Sequence, residues 1–135
     1  MPNKEFVINE LSKKFNCTLS TIQGKKIMYH GNSCGKKIVV CTPYSKVHVI
    51  GKGWFDLTTK QVELLDDSEI AVLAVRLGVN KIYYIDFKEL RKLMPLEIIL
   101  KNPNEGEHWK LFVWEDHIQV QGNERKFMVQ PKGVH

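Results

Sequence analysis

The sequence predicts an α+β fold in a single domain, a mixed β-sheet flanked by helices, and three observations carry that expectation. Between Lys52 and Met94 the pattern passes from a short strand to a capped helix, a second strand, a tight turn, a third strand and a second capped helix. Within it, Ile70-Ala71-Val72-Leu73-Ala74-Val75 is apolar without alternation, which over so few residues suits a strand covered on both faces. Finally, 135 residues with 43% apolar and 26% charged side chains describe one ordinary globular domain, able to bury a core without disulfides or a structural metal. No repeat, low-complexity tract or linker divides the chain. Residues 1–94 read as an αβββαβ-like core, and residues 95–135 as a β-rich C-terminal extension.

Residues 5–15 place Val7 or Ile8, Leu11 and Phe15 at helical spacing with Lys4, Glu10, Lys13 and Lys14 around them, so a helix covering a sheet is expected. Short β-rich runs follow at residues 18–22, 27–30, 37–41 and 47–50. They are separated by Gly24-Lys25-Lys26, Gly31-Asn32-Ser33-Cys34-Gly35 and Thr42-Pro43. Gly51-Lys52-Gly53 turns into a strand at Trp54-Phe55-Asp56-Leu57. Thr58 and Gln61 have the spacing of a capping box, in which the hydroxyl accepts from an early backbone N–H and the amide side chain reaches back to the cap. The helix that starts there has Val62, Leu64 and Leu65 as its apolar face and ends by Asp66-Asp67-Ser68.

After the central apolar strand, Gly78-Val79-Asn80-Lys81 turns the chain and Ile82-Tyr83-Tyr84-Ile85 returns as a hairpin partner. Asp86 and Glu89 repeat the cap logic, and Pro95 is expected to stop the helix that follows. Residues 96–100 read as a strand or the rim of the core, and residues 102–107 as a loop. From His108 to Glu115, Trp109, Leu111 and Val113 alternate with Lys110, Phe112 and Trp114, so both faces have something to bury. Ile118 and Val120, followed across Gly122-Asn123-Glu124 by Lys126-Phe127-Met128-Val129, predict a terminal hairpin or meander.

No apolar run approaches the roughly 20 residues that span a bilayer, and the N-terminus lacks the regions of a signal peptide. Three cysteines, Cys17, Cys34 and Cys41, cannot all pair within one chain. A cytoplasmic, reducing location without a membrane partner is therefore expected. His30, Cys34, Cys41 and His48 lie close in sequence, but their second gap is too long for a zinc knuckle, so no metal is expected and the thiols read as buried or idle.

The net charge is +5, and its distribution says more than its size. Between Glu10 and Asp56 there is no acid, while Lys13, Lys14, Lys25, Lys26, Lys36, Lys37, Lys46 and Lys52 all fall there. Several stand at turns, where one positive surface attractive to phosphate can form; equally, turn lysines solubilise a protein and guard strand edges. The first alternative makes DNA or RNA the expected partner, with Lys25, Lys26, Lys36, Lys37, Tyr44, Lys46, Lys52 and Lys60 as the binding residues. Aromatic stacking on single strands would draw on Tyr29, Tyr44, Trp54 or Phe55. Trp54 and Phe55 are adjacent, so in a strand one of them faces the core.

The order of helix, strands, helix and strand resembles the restriction-endonuclease-like, PD-(D/E)XK core. The likeness is strongest in Val39-Val40-Cys41-Thr42-Pro43-Tyr44-Ser45-Lys46, in Trp54-Phe55-Asp56-Leu57-Thr58-Thr59-Lys60-Gln61 with Leu64-Leu65, and in Ile82-Tyr83-Tyr84-Ile85 with Leu90. That core has three strands between its first two helices, fewer than are read here. Its chemistry puts an acid on the second strand and an acid-x-lysine pair on the third, so that two carboxylates hold a divalent cation beside the scissile phosphate. The matching strands, Ile27-Met28-Tyr29-His30 and Ile38-Val39-Val40-Cys41, contain no acid.

The resemblance thus implies a small nucleic-acid-binding protein with a catalytically degenerate, nuclease-like core and no cofactor, of the kind that serves a phage, plasmid or host-defence system. Two alternatives stay open. One is an active metal-dependent nuclease, drawing on Glu10, Lys46 and Asp56, for which alone Mg²⁺ would be needed. The other is a protein-interaction module, an inhibitor or adaptor anchored by Trp54, Trp109 or Trp114. Phosphate-loop, nucleophile-elbow and HExxH motifs are absent. His108, Glu115, Asp116 and His117 are residues that a terminal hairpin could bring together.

Overall fold

Asn3 caps the first helix, α1 (Lys4–Phe15), by accepting from the Phe6 N–H at 2.8 Å, and Asn16 closes it in the left-handed conformation that Asn tolerates. The computed structural model describes residues 3–48, 52–104 and 106–133. Along the chain follow β1 (Ser20–Ile22), β2 (Lys25–Ser33), β3 (Lys36–Cys41), β4 (Tyr44–Ser45), β5 (Gly53–Thr58) and α2 (Thr59–Asp66). Then come β6 (Ile70–Leu77), β7 (Lys81–Asp86), α3 (Phe87–Arg91), a 3₁₀ turn at Leu96–Ile98, β8 (Leu100–Asn102), β9 (Gly106–Val113), β10 (His117–Val120), β11 (Lys126–Met128) and β12 (Lys132–Gly133).

These strands form two sheets in one α+β domain. The first runs β1-β2-β3-β6-β7-β12, with β4 also on β6; the second runs β11-β10-β9-β5, with β8 on β9. The first sheet is mixed, because β3 lies parallel to β6 while β7 returns antiparallel. The expectation that residues 70–75 form a central strand covered on both faces is met. Ala71, Leu73, Val75 and Leu77 join the core shared with Phe55, Leu57, Trp109, Leu111 and Val113 of the second sheet, and Val62, Leu65, Phe87 and Leu90 of α2 and α3 close it. Val72 and Ala74 face the other way, with Ile38, Val40 and Ile82, against Val7 and Leu11 of α1. Two-residue alternation thus sorts one strand between two cores.

The capping box at Thr58 forms in full: its hydroxyl accepts from Gln61 N–H at 3.2 Å, and the Gln61 side chain accepts from Thr58 N–H at 2.9 Å. Thr58→Ala is expected to lower stability by about 1 kcal/mol. Denaturation midpoints that coincide for the two proteins would show that the cap does not limit this helix.

The structure corrects several details. Among the described residues five strands stand between α1 and α2, against the three of an αβββαβ core, and the last of them belongs to the second sheet. Of the strand expected at 47–50, Val47 and His48 are irregular, and the rest lies outside the described residues. The helix before Pro95 ends at Arg91 and gives way to tighter turns through Met94, whose position before proline disfavours helical backbone. Most of the loop expected at 102–107 is a tight hairpin that pairs Asn102 with Gly106. In β9, Trp109, Leu111 and Val113 are buried on one face, while on the other His108 is buried and Lys110 and Phe112 are partly exposed.

Candidate functional site

The outward face of the second sheet owes its character to the alternation in β5 and β9. With Phe55 and Leu57 turned inward, Trp54 and Asp56 of β5 face outward, and Trp54 keeps 40% of its surface exposed. Phe112 is the cross-strand partner of Trp54, and Lys110 that of Asp56. Lys110 Nζ lies 4.2 Å from the Trp54 ring centroid, and Lys52 Nζ lies 4.3 Å from Phe112 and 5.2 Å from Trp114. His48 stacks nearly parallel to Trp54, at 6.4 Å between centroids and 12° between planes. Trp114 stacks in turn on His117, whose Nδ1 is 2.7 Å from Asp116. Tyr83 positions this end from inside the core: its hydroxyl donates to the carbonyls of Trp114 and Glu115 at 2.9 and 3.2 Å. Burial, with Glu115 and Asp116 nearby, pushes its pKa up to about 12 and keeps the phenol a donor.

Trp54 also walls a cavity of about 570 Å³ where β4 and β5 meet, lined by Pro43, Tyr44, Lys46, His48, Asp56 and Arg76 among others. The corner exists because Pro43 has no N–H and interrupts the pairing of β3 along β6, which β4 then resumes. Arg76 fills the break. Its Nε donates to Thr42 Oγ1 at 3.1 Å and its Nη2 to Thr42 O at 2.8 Å, while its guanidinium lies 5.7 Å from the centre of the Tyr44 ring. Only 5% of Arg76 is exposed, and burial lowers its pKa from the ordinary arginine value. Gly53 permits the tight approach of β5, since a Cβ there would stand 2.5 Å from both Leu77 Cδ1 and Ser45 Oγ. Ser45 Oγ in turn accepts from the Trp54 N–H at 2.8 Å.

The lysines expected to share one surface divide between two ends of the first sheet. Lys25 and Lys26 open β2 beside Ile27, which lines the corner cavity, and Tyr44 and Lys46 line it too. Lys36 and Lys37 open β3 opposite the last residues of β2, about 26 Å away by the rise of about 3.3 Å per residue. There Lys37 has acidic company: its Nζ is 3.6 Å from Asp67, and its N–H donates to Glu69 at 3.2 Å. Lys52 belongs to the aromatic face, and Lys60 is exposed in the first turn of α2.

Glu10 and Asp56 stand on opposite outer sides, Glu10 on α1 beyond the first sheet, 3.1 Å from Lys132, and Asp56 on the far face of the second. Sheets stack about 10 Å apart, so these carboxylates cannot hold one ion. Among the described residues no group of three His, Cys, Asp or Glu side chains is placed to bind a metal. Cys41 is buried, with its thiol pushed up to about 12, and Cys34 is exposed. His108 sits at the opposite end of β9 from Glu115, Asp116 and His117, so that set does not assemble. Trp109 is a core residue rather than an anchor for a partner.

The residues expected from the sequence to bind nucleic acid did not include Lys110, Phe112, Trp114 or Arg76, which the fold adds to this face and corner. Their signals were present: aromatic and basic residues in one alternating register of β9, and a lone arginine at the end of the apolar run in β6. No helix of the described residues is long and apolar enough to cross a membrane. Compared with protein-family models, with characterised proteins and with solved structures, the chain finds no match. Fold and site together define an α+β domain with a cationic, aromatic sheet face continued into an arginine-lined corner.

Proposed function

We propose that this chain is a nucleic-acid-binding domain that takes a single strand of DNA or RNA across the outer face of its second sheet. The observation that carries the reading is the partly exposed row Trp54, Phe112 and Trp114 with Lys52 and Lys110 over the rings. Unstacked bases present a flat face to aromatic side chains, and neighbouring cations meet the backbone phosphates. The lysines do not block this. An exposed cation–π interaction contributes about 0.5–1 kcal/mol, against about 1–3 kcal/mol for a stacked base, so a base displaces the ammonium, which then turns to phosphate. No reaction is assigned, because Glu10, Lys46 and Asp56 offer no shared metal site.

Titration of a short unstructured oligonucleotide at low salt tests the reading. Trp54→Ala is expected to weaken binding by roughly 5- to 150-fold, the equivalent of one stacked base. Equal affinity in the two proteins, or no binding by either, rules it out. Release of bound oligonucleotide by random-sequence DNA separates this reading from that of a protein-interaction module.

A further inference from the structure

We propose that Arg76 anchors a phosphate site in the corner cavity. Burial is the first reason. A guanidinium withdrawn from water is costly unless an anion or a full set of hydrogen bonds compensates it. Here two N–H groups go to the neutral oxygens of Thr42, leaving three of the five that an arginine carries. No carboxylate among the described residues forms an ion pair with it. Yet Arg76 lines a cavity of about 570 Å³ into which an anion fits.

The surroundings favour phosphate. Thr42 and the Tyr44 ring hold the guanidinium in place, and a held guanidinium with N–H groups to spare suits a tetrahedral oxyanion. Lys46 is exposed in the same lining and adds a second cation. Asp56 is the one acid among the described residues of that lining, and its cross-strand partner is Lys110. Trp54 belongs both to the cavity wall and to the aromatic face, so a strand stacked on Trp54 brings a phosphate to Arg76. That the phosphate belongs to a nucleic-acid strand rests on the proposed function; the anion site itself does not.

Inorganic phosphate is therefore the first probe. Thermal unfolding is compared in phosphate, acetate and chloride at matched pH and ionic strength. Phosphate at about ten times its dissociation constant is expected to raise the melting temperature by roughly 4 °C over chloride, and Arg76→Gln to abolish the rise. No rise in the native protein, an equal rise in acetate, or a rise that survives Arg76→Gln overturns the proposal. If Arg76→Gln fails to fold, the exposed Lys46→Gln decides: the rise must shrink, and an unchanged rise overturns it.

Oligonucleotides with and without a terminal phosphate then identify the source. A preference for the phosphorylated end that is lost with Lys46→Gln assigns a terminal phosphate, and an equal loss for both oligonucleotides assigns an internal one. A phosphate response without oligonucleotide binding keeps the Arg76 site and removes the strand reading. Oligonucleotide binding without a phosphate response does the reverse.

Discussion

Trp109→Ala is expected to destabilise the protein by about 3–5 kcal/mol, the range for removing a large aromatic from a core. The indole is 1% exposed between the two sheets, and its N–H donates to the Pro95 carbonyl at 3.0 Å. The substitution both opens a cavity and strips that carbonyl of its donor. Domains of this kind are stable by only about 5–15 kcal/mol, so the loss is a large share of the total. In urea the midpoint should fall by more than about 1 M. Trp54→Ala supplies the contrast, because a partly exposed side chain removed from the surface should shift stability by no more than about 0.5 kcal/mol. If the two variants unfold at the same midpoint, the assignment of one tryptophan to the core and the other to a binding surface is wrong.

Replacing Lys46, Lys52 and Lys110 together by Gln should reduce oligonucleotide affinity at least about tenfold at low salt. It should also flatten the salt dependence by about 0.7 in log–log slope for each phosphate that is no longer neutralised. Replacing Lys36 and Lys37 should change neither quantity. The two sets separate because Lys36 and Lys37 open β3 at the far end of the first sheet, where Asp67 and Glu69 already meet Lys37. The sets carry three and two charges, so a binding mode driven by net charge alone would respond to each in that proportion. That result, or the reverse pattern, would move the interface away from the Trp54 face.

Local rules were enough for most elements. The Thr58–Gln61 box, the Asp86 cap, the β6 run and the turn after Leu77 depend on residues within a few positions of each other, and the structure has all of them. Elsewhere the outcome turned on a constraint that the pattern itself does not contain. The chain ahead of Pro95 satisfied a helix pattern longer than the helix that forms, because the proline constrains the residue before it. In β9 the alternation was plain, but which of two hydrophobic registers would be buried depended on the first sheet covering only one face.

Charge divides in the same way. From its amino acids alone the chain has a lysine-rich segment without acids between Glu10 and Asp56, an apolar central strand and helix starts at fixed caps. Only the tertiary structure decided that Lys25 and Lys36 lie at opposite ends of one strand pair, that Lys110 approaches Trp54 from a strand more than fifty residues away, and that Arg76 lines a corner opened by Pro43. The physical reason is range. Capping and strand periodicity act over neighbouring residues and can be read along the chain. Convergence of charge and aromatic surface depends on strand pairing across the whole domain, which no local pattern specifies.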